Sequence, residues 1–232
     1  MFNRPAAQTD TVTPLSPNQQ QLLRLNIDFL KLMQVTGQTG SDSHQGLRQQ
    51  LCLPTVQAAG LAQCQEAALE RMASCGFSLF SLSLHQPDIW RRAAAQSAQL
   101  AHAAHYHQPA ATGQDSDLSR ACSGFMECAL FFAWHLSQQE PHHARLLLGM
   151  SADCAAIVAQ LELWQCQYIA RQHDKVLSPR WRHHPYFWAD LLRYGHSGDA
   201  RHFKLACLLG SQLLAQELEP SAILRLSSTD TE

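Results

Sequence analysis

Residues 16–33 read SPNQQQLLRLNIDFLKLM. Ser16 at an N-cap and Pro17 at the first helical position open a helix, and Leu22, Leu25, Phe29, Leu32 and Met33 then recur at three- and four-residue spacing. This pattern predicts an amphipathic helix of about five turns with one apolar stripe to bury. Gly37, Gly40, Ser41 and Asp42 stop it. From Gln45 to Cys75 the chain runs through two or three short Ala/Leu/Gln-rich helical segments, interrupted near Pro54 and Gly60. Segments of that length are not stable alone and must pack on each other and on the first helix. The next stretch, Phe77-Ser-Leu-Phe-Ser-Leu-Ser-Leu84, partly alternates apolar residues with serine, as a short half-buried extended segment does. Pro87 and Asp88 begin another helix carrying Ile89, Trp90 and an Ala-rich run toward Tyr106.

The same order of events recurs further along. An apolar helix from Cys122 to Leu136 is followed by a break at Glu140-Pro141, short helical segments from His142 to Gln172, an interrupted stretch at 176–181 and a helix from Pro185. At a constant offset of 97, Leu51 meets Leu148, Ala58-Ala59 meets Ala155-Ala156, and Ala62-Gln63 meets Ala159-Gln160; one residue more brings Trp90 onto Trp188. The Pro/Gly/Asp/Ser-rich run 108–119 (QPAATGQDSDLS) reads as an interdomain linker. The expected organisation is a disordered leader at 1–16, a first helical unit at 17–107, the linker at 108–119, a second unit at 120–217 and a flexible tail at 218–232.

Composition bounds the function. In 232 residues, 46% are hydrophobic and 16% charged, enough to bury a core and unlike a disordered scaffold. The net charge of −2 gives no overall attraction for nucleic acid, so any DNA contact must come from a local patch. The amino terminus has no apolar signal region and no run of 18 apolar residues occurs, so a cytoplasmic protein with no membrane contact is expected. Eight cysteines without a CxxC pair read mostly as small core hydrophobes.

The strings Leu146-Leu-Leu-Gly-Met-Ser-Ala-Asp153, Ile157-Val-Ala-Gln-Leu161, Gln167-Tyr-Ile-Ala-Arg171 and Tyr186-Phe-Trp-Ala-Asp-Leu-Leu192 resemble the FlhD family of bacterial flagellar transcriptional regulators. Residues 122–215 are similar to one such unit. Residues 20–105 resemble a second, through Leu25-Asn-Ile-Asp-Phe-Leu30, Ala73-Ser74 and Asp88-Ile-Trp90. The resemblance implies an all-α fold, with two tandem FlhD-like units packed as an intramolecular pseudo-dimer, because family members are helical homodimers with intertwined long helices. It also implies a non-enzymatic transcriptional regulator that binds an FlhC-type partner, which supplies much of the DNA contact. Two departures from the family pattern are visible. A cysteine that often bridges family dimers is replaced by Leu79 and, near the matching position, Val176, and the arginine of the family's F-R-L-G turn has no counterpart at Leu51-Cys-Leu-Pro54.

Residues 171–204 hold seven Lys or Arg against three Asp, a local excess of +4. Within them Arg180-Trp-Arg-His-His184 interleaves cations and aromatics, which suits phosphate contact and stacking. The candidate DNA contacts are therefore Arg180, Arg182, His183 and His184, flanked by Arg193, Arg201 and Lys204. Leu25, Phe29, Phe131 and Trp134 on the two leading helices are expected to join the units. His102, His105 and His107 lack a completing carboxylate or cysteine and read as a solvated helix end, so no metal is expected. No nucleophile elbow, phosphate loop or HExxH motif is written, and neither catalytic residues nor a cofactor are expected. The competing reading is a helical adaptor or decoy that sequesters a regulator without touching DNA.

Overall fold

The computed structural model describes residues 14–38, 45–103, 117–172 and 176–218. The leader up to residue 13, the linker up to residue 116, His105 and His107, and the tail from 219 lie outside them. Among the described residues the fold is all-α apart from one pair of two-residue strands. In chain order the elements are α1 (Pro17–Gln38), α2 (Gln45–Leu51), α3 (Thr55–Ala62), α4 (Glu66–Ala73), β1 (Phe80–Ser81), α5 (Pro87–Ala103), α6 (Asp117–Gln139), α7 (Pro141–Leu148), α8 (Ala152–Ala159), α9 (Leu163–Gln172), β2 (Ser178–Pro179), α10 (Phe187–Ser197) and α11 (Ala200–Leu218).

The helix ends follow from local chemistry. Ser16 and Gln19 cap α1 reciprocally: the Gln19 N–H donates to Ser16 Oγ at 3.3 Å and the Ser16 N–H to Gln19 Oε1 at 2.9 Å. α7 carries Pro at its first position and ends on Gly149 at φ 64°; Ser151 Oγ then caps α8 by accepting the Cys154 N–H. α6 begins at Asp117, inside the expected linker. Acidic Asp117 favours a helix amino terminus and pairs with Arg120 one turn on.

The element order of the first part, long helix, three short helices, strand, helix, is repeated from α6 to α10. The offset of 97 relates α3 to α8 and the start of α4 to that of α9, while α1 and α6 are related by 100. On α1 the buried positions are Leu22, Leu25, Asn26, Phe29, Leu30, Leu32, Met33 and Thr36. The residues 100 further on, from Cys122 to Leu136, are buried in the same order, although only Leu30 and Leu130 are identical. Ser83 and Trp181, 98 apart, are the two non-glycine residues with positive φ among the described residues, at 54° and 49°. Trp90 and Trp188 are both fully buried.

The two parts are interlocked. α1 packs on α6, and β1 pairs antiparallel with β2, with Phe80 opposite Pro179 and Ser81 opposite Ser178. α5 leaves its own short helices and packs on α8 and α9, while α10 packs on α3 and α4. Polar contacts mark both exchanges: Gln165 Nε2 donates to Ser97 Oγ at 3.0 Å, and Arg71 Nε donates to the Gly195 carbonyl at 2.9 Å. At the centre, Phe29 of α1, Phe80 of β1 and Phe125 of α6 meet with ring centroids 5.1–5.7 Å apart.

Of the expected joining residues, Leu25 and Phe29 are buried and Phe29 meets Phe125. Trp134 is partly buried against the core, and its indole N–H donates to the Leu161 carbonyl at 2.7 Å, tying α6 to the segment after α8. An indole N–H that is removed from water needs an acceptor, and the Leu161 carbonyl just past α8 supplies one. Phe131 is only partly buried against the core. Gln34, 100 residues before Trp134, makes the same kind of tie to the carbonyls of Leu61 and Cys64. Trp164 is only half-buried, and its Nε1 donates to the exposed Glu162.

α11 has no counterpart among the described residues of the first part. It docks through Gly210, where a Cβ would lie 2.2 Å from Phe77 Cζ and 2.8 Å from Phe187 Cε2. Those rings are held by Trp181, centroids 5.5 and 4.8 Å away. Gly210→Ala is therefore expected to destabilise the protein by about 1–3 kcal/mol, overpacking outweighing the gain of ~1 kcal/mol in helix propensity. Gly195→Ala meets only Met72, at 2.4 Å from Cγ, and a flexible thioether yields more readily than two wedged rings. Urea unfolding of the two variants checks the order, the Gly210 change being the costlier.

Candidate functional site

The expected basic surface divides into a buried part, a structural part and an exposed part. Arg180 follows β2, and its backbone is fixed by the Leu79 carbonyl at 2.9 Å and the Trp188 indole at 2.7 Å. Its side chain turns inward and is 3% exposed. Nη2 donates to the Leu148 carbonyl, Nε lies 3.8 Å from Glu217 Oε2, and the guanidinium sits 5.4 Å from the Trp181 ring centroid. Burial lowers its pKa from the ordinary arginine value, and Glu217 opposes that shift. A guanidinium enclosed in this way cannot reach a phosphate, so Arg180 is withdrawn from the DNA contacts.

Arg182 and His184 are partly exposed but already committed. Arg182 Nη1 donates to the carbonyls of Gln49 (2.9 Å) and Gln50 (3.0 Å), serving the carboxyl end of α2, and its Nε donates to His183 at 2.8 Å. His184 Nδ1 accepts the N–H groups of Tyr186 and Phe187 where α10 begins. His183 is exposed.

The remaining cations gather where α10 turns into α11. Gly198, at φ 72°, ends α10, and Asp199 caps α11 by accepting the N–H groups of Arg201 and His202, both at 3.1 Å. The Tyr194 and His202 rings stack at 5.0 Å, and Arg193 lies over Tyr194 at 5.6 Å. Arg193, Arg201 and Lys204 are exposed and form no ion pair among the described residues. Leu205 and Leu208, on the same helix, are also half-exposed. This arrangement offers three cations, a stacked ring pair and two apolar side chains on one helix corner. Sequence reading missed Tyr194 and Asp199, although Gly198-Asp199 is a stop-and-cap signal.

The N–H of His202, its ring and the N–H of Arg201 hold the Asp199 carboxyl below the usual carboxylate range. Its folded pKa being depressed, the stabilisation is present above the unfolded-state pKa and disappears as pH falls through the folded value. Asn caps a helix about as well as Asp, so Asp199→Asn isolates the charge. A small loss in melting temperature is expected at neutral pH, closing as the pH drops below the carboxylate range.

Among the described residues no three His, Cys, Asp or Glu side chains gather where a metal could be held, and no helix is long and apolar enough to cross a membrane. Cys64, Cys75, Cys122, Cys154 and Cys166 are buried free thiols. Burial pushes Cys75 and Cys166 up to about 12 and Cys207 to about 11, far from the range of a reactive thiolate. Comparison with family models, curated proteins and solved structures finds nothing that matches this chain.

Proposed function

We propose that this chain is a non-enzymatic FlhD-like transcriptional regulator whose two units pair within one polypeptide, and that it binds an FlhC-type protein in the cytoplasm to control flagellar or related genes. The observation that carries the reading is the reciprocal packing of α5 on α8 and α9 and of α10 on α3 and α4, joined by the α1–α6 and β1–β2 contacts. Two equivalent units exchanging their last common helix resemble a twofold dimer made covalent, in which linkage replaces a bimolecular step by an intramolecular one at high effective concentration. Arg193, Arg201 and Lys204, with exposed His183, are the DNA contacts retained in this reading.

Light scattering on the full chain, alone and mixed with an FlhC-type protein, tests it. A monomer of 25.9 kDa that takes up the partner supports the proposal. A stable homodimer that ignores the partner overturns it. With a promoter fragment, the joint alanine variant of Arg193, Arg201 and Lys204 is expected to flatten the dependence of log affinity on log salt by about 3, three phosphate contacts being removed.

A second reading, an adaptor that captures a regulator without contacting DNA, is favoured by a specific observation. Arg180 is enclosed, and Arg182 and His184 already serve helix ends. Partner binding with no salt-dependent DNA affinity, unchanged in the triple variant, selects this reading.

A further inference from the structure

A cavity of about 580 Å³ opens between the end of α7, the turn after α4 and the carboxyl half of α11. That is within the roughly 300–1,000 Å³ typical of small-molecule pockets. Its wall includes Cys75, Phe77, Leu146, Leu214 and Leu218. Among the described residues that line it, Arg145 is the one charged side chain and none is a carboxylate. Arg145 makes no side-chain hydrogen bond or ion pair among the described residues, and its buried Nε has no partner. A buried donor without an acceptor costs stability unless something supplies that acceptor. A second cation stands behind the wall: the Arg180 guanidinium and the Leu214 side chain both crowd the position of Gly149, within 3.0 Å of where its Cβ would be. Glu217, the acid paired with Arg180, also accepts the Trp181 N–H at 2.6 Å and is not among the lining residues.

A trough with apolar side chains on its wall and a partly exposed arginine whose buried Nε lacks an acceptor is complementary to a ligand with an apolar body and one anionic end. We propose that this cavity binds a free medium-chain carboxylate, with its hydrocarbon against Phe77, Leu146, Leu214 and Leu218 and its head group on Arg145. The site lies on the carboxyl half of α11, away from the cations at the α10–α11 corner, and does not depend on the FlhC-type partner or on DNA.

Equilibrium dialysis of the full chain against labelled decanoate, with decanol as the uncharged counterpart, tests the proposal. Saturable binding of decanoate is expected, with decanol roughly ten- to a hundredfold weaker and Arg145→Gln reducing decanoate affinity by a similar factor, as loss of a charge-assisted hydrogen bond does. Ala215→Phe, which fills the trough from an exposed helical position and leaves Arg145 in place, is expected to abolish binding. Circular dichroism and thermal melts establish that each variant folds, and Ala215→Phe carries the test if the arginine variant does not. Absence of saturable binding, equal affinity for decanoate and decanol, or decanoate binding undiminished in Ala215→Phe overturns the inference.

Discussion

Replacing Asn26 with leucine is expected to remove roughly 3–5 kcal/mol of folding stability, read as a fall in the urea midpoint, a large share of the ~5–15 kcal/mol that holds a typical domain. Asn26 is fully buried on α1. Its Nδ2 donates to the carbonyls of Ala73 (3.0 Å) and Phe77 (2.8 Å), and its Oδ1 accepts the Leu79 N–H at 2.9 Å. One amide thus satisfies three backbone groups of the turn that delivers β1 to the centre of the molecule. Leucine matches its volume closely enough to avoid a cavity, so the loss reports the Ala73 carbonyl and the Leu79 N–H left without Asn26 and the Phe77 carbonyl left with only the weak Cys75 thiol donor at 3.3 Å, each costing up to about 1–3 kcal/mol, less a partial apolar gain. Asn26→Asp retains the acceptor and sets a carboxylate against two carbonyls, so its penalty is expected to grow from acid toward neutral pH as the charge forms. A leucine variant within ~1 kcal/mol of the parent would show that the turn does not rely on Asn26.

The pair Arg180 and Glu217 is expected to respond asymmetrically. Glu217→Ala leaves a buried guanidinium without its counter-charge and frees the Trp181 N–H, and a loss of about 3 kcal/mol is expected. Arg180→Met removes the buried charge itself; the exposed share of Glu217 keeps its carboxylate solvated, and the main loss is the hydrogen bond to the Leu148 carbonyl, about 1–2 kcal/mol. The double variant is expected to be less destabilised than the sum of the singles. This couples α11 to β2, since Glu217 is near the end of α11 and Arg180 directly follows β2. Additive losses in the cycle would show that the two side chains act independently at 3.8 Å.

The candidate site was legible in part. Arg193, Arg201 and Lys204 are exposed as their helical positions allowed. Arg180 was misplaced because a run of cations and aromatics looks the same whether it faces water or turns inward. The deciding factor is that Gly149 leaves space, and Leu148, 32 residues earlier in the chain, a free carbonyl for the guanidinium. Arg182 and His184 likewise serve helix ends that no local pattern announces.

By itself the sequence determined the helical class, the Ser16-Pro17 start of α1, the short extended stretch around Phe80 and the repeated order of segments, because caps, periodicity and breakers act within a few residues. Tertiary structure alone decided which helix packs on which. The offset of 97 overlooked the kinship of α1 and α6, since the buried face conserves position rather than residue type: Phe29 stands where the second helix has Ala129, and Leu25 where it has Phe125. A core selects for filled volume, and large and small side chains trade places across a seam without disturbing the pattern of burial. The exchange of α5 and α10 has no signature within either helix. Each presents an apolar face, and the packing of α5 on α8 and α9 and of α10 on α3 and α4 leaves Trp90 and Trp188 buried.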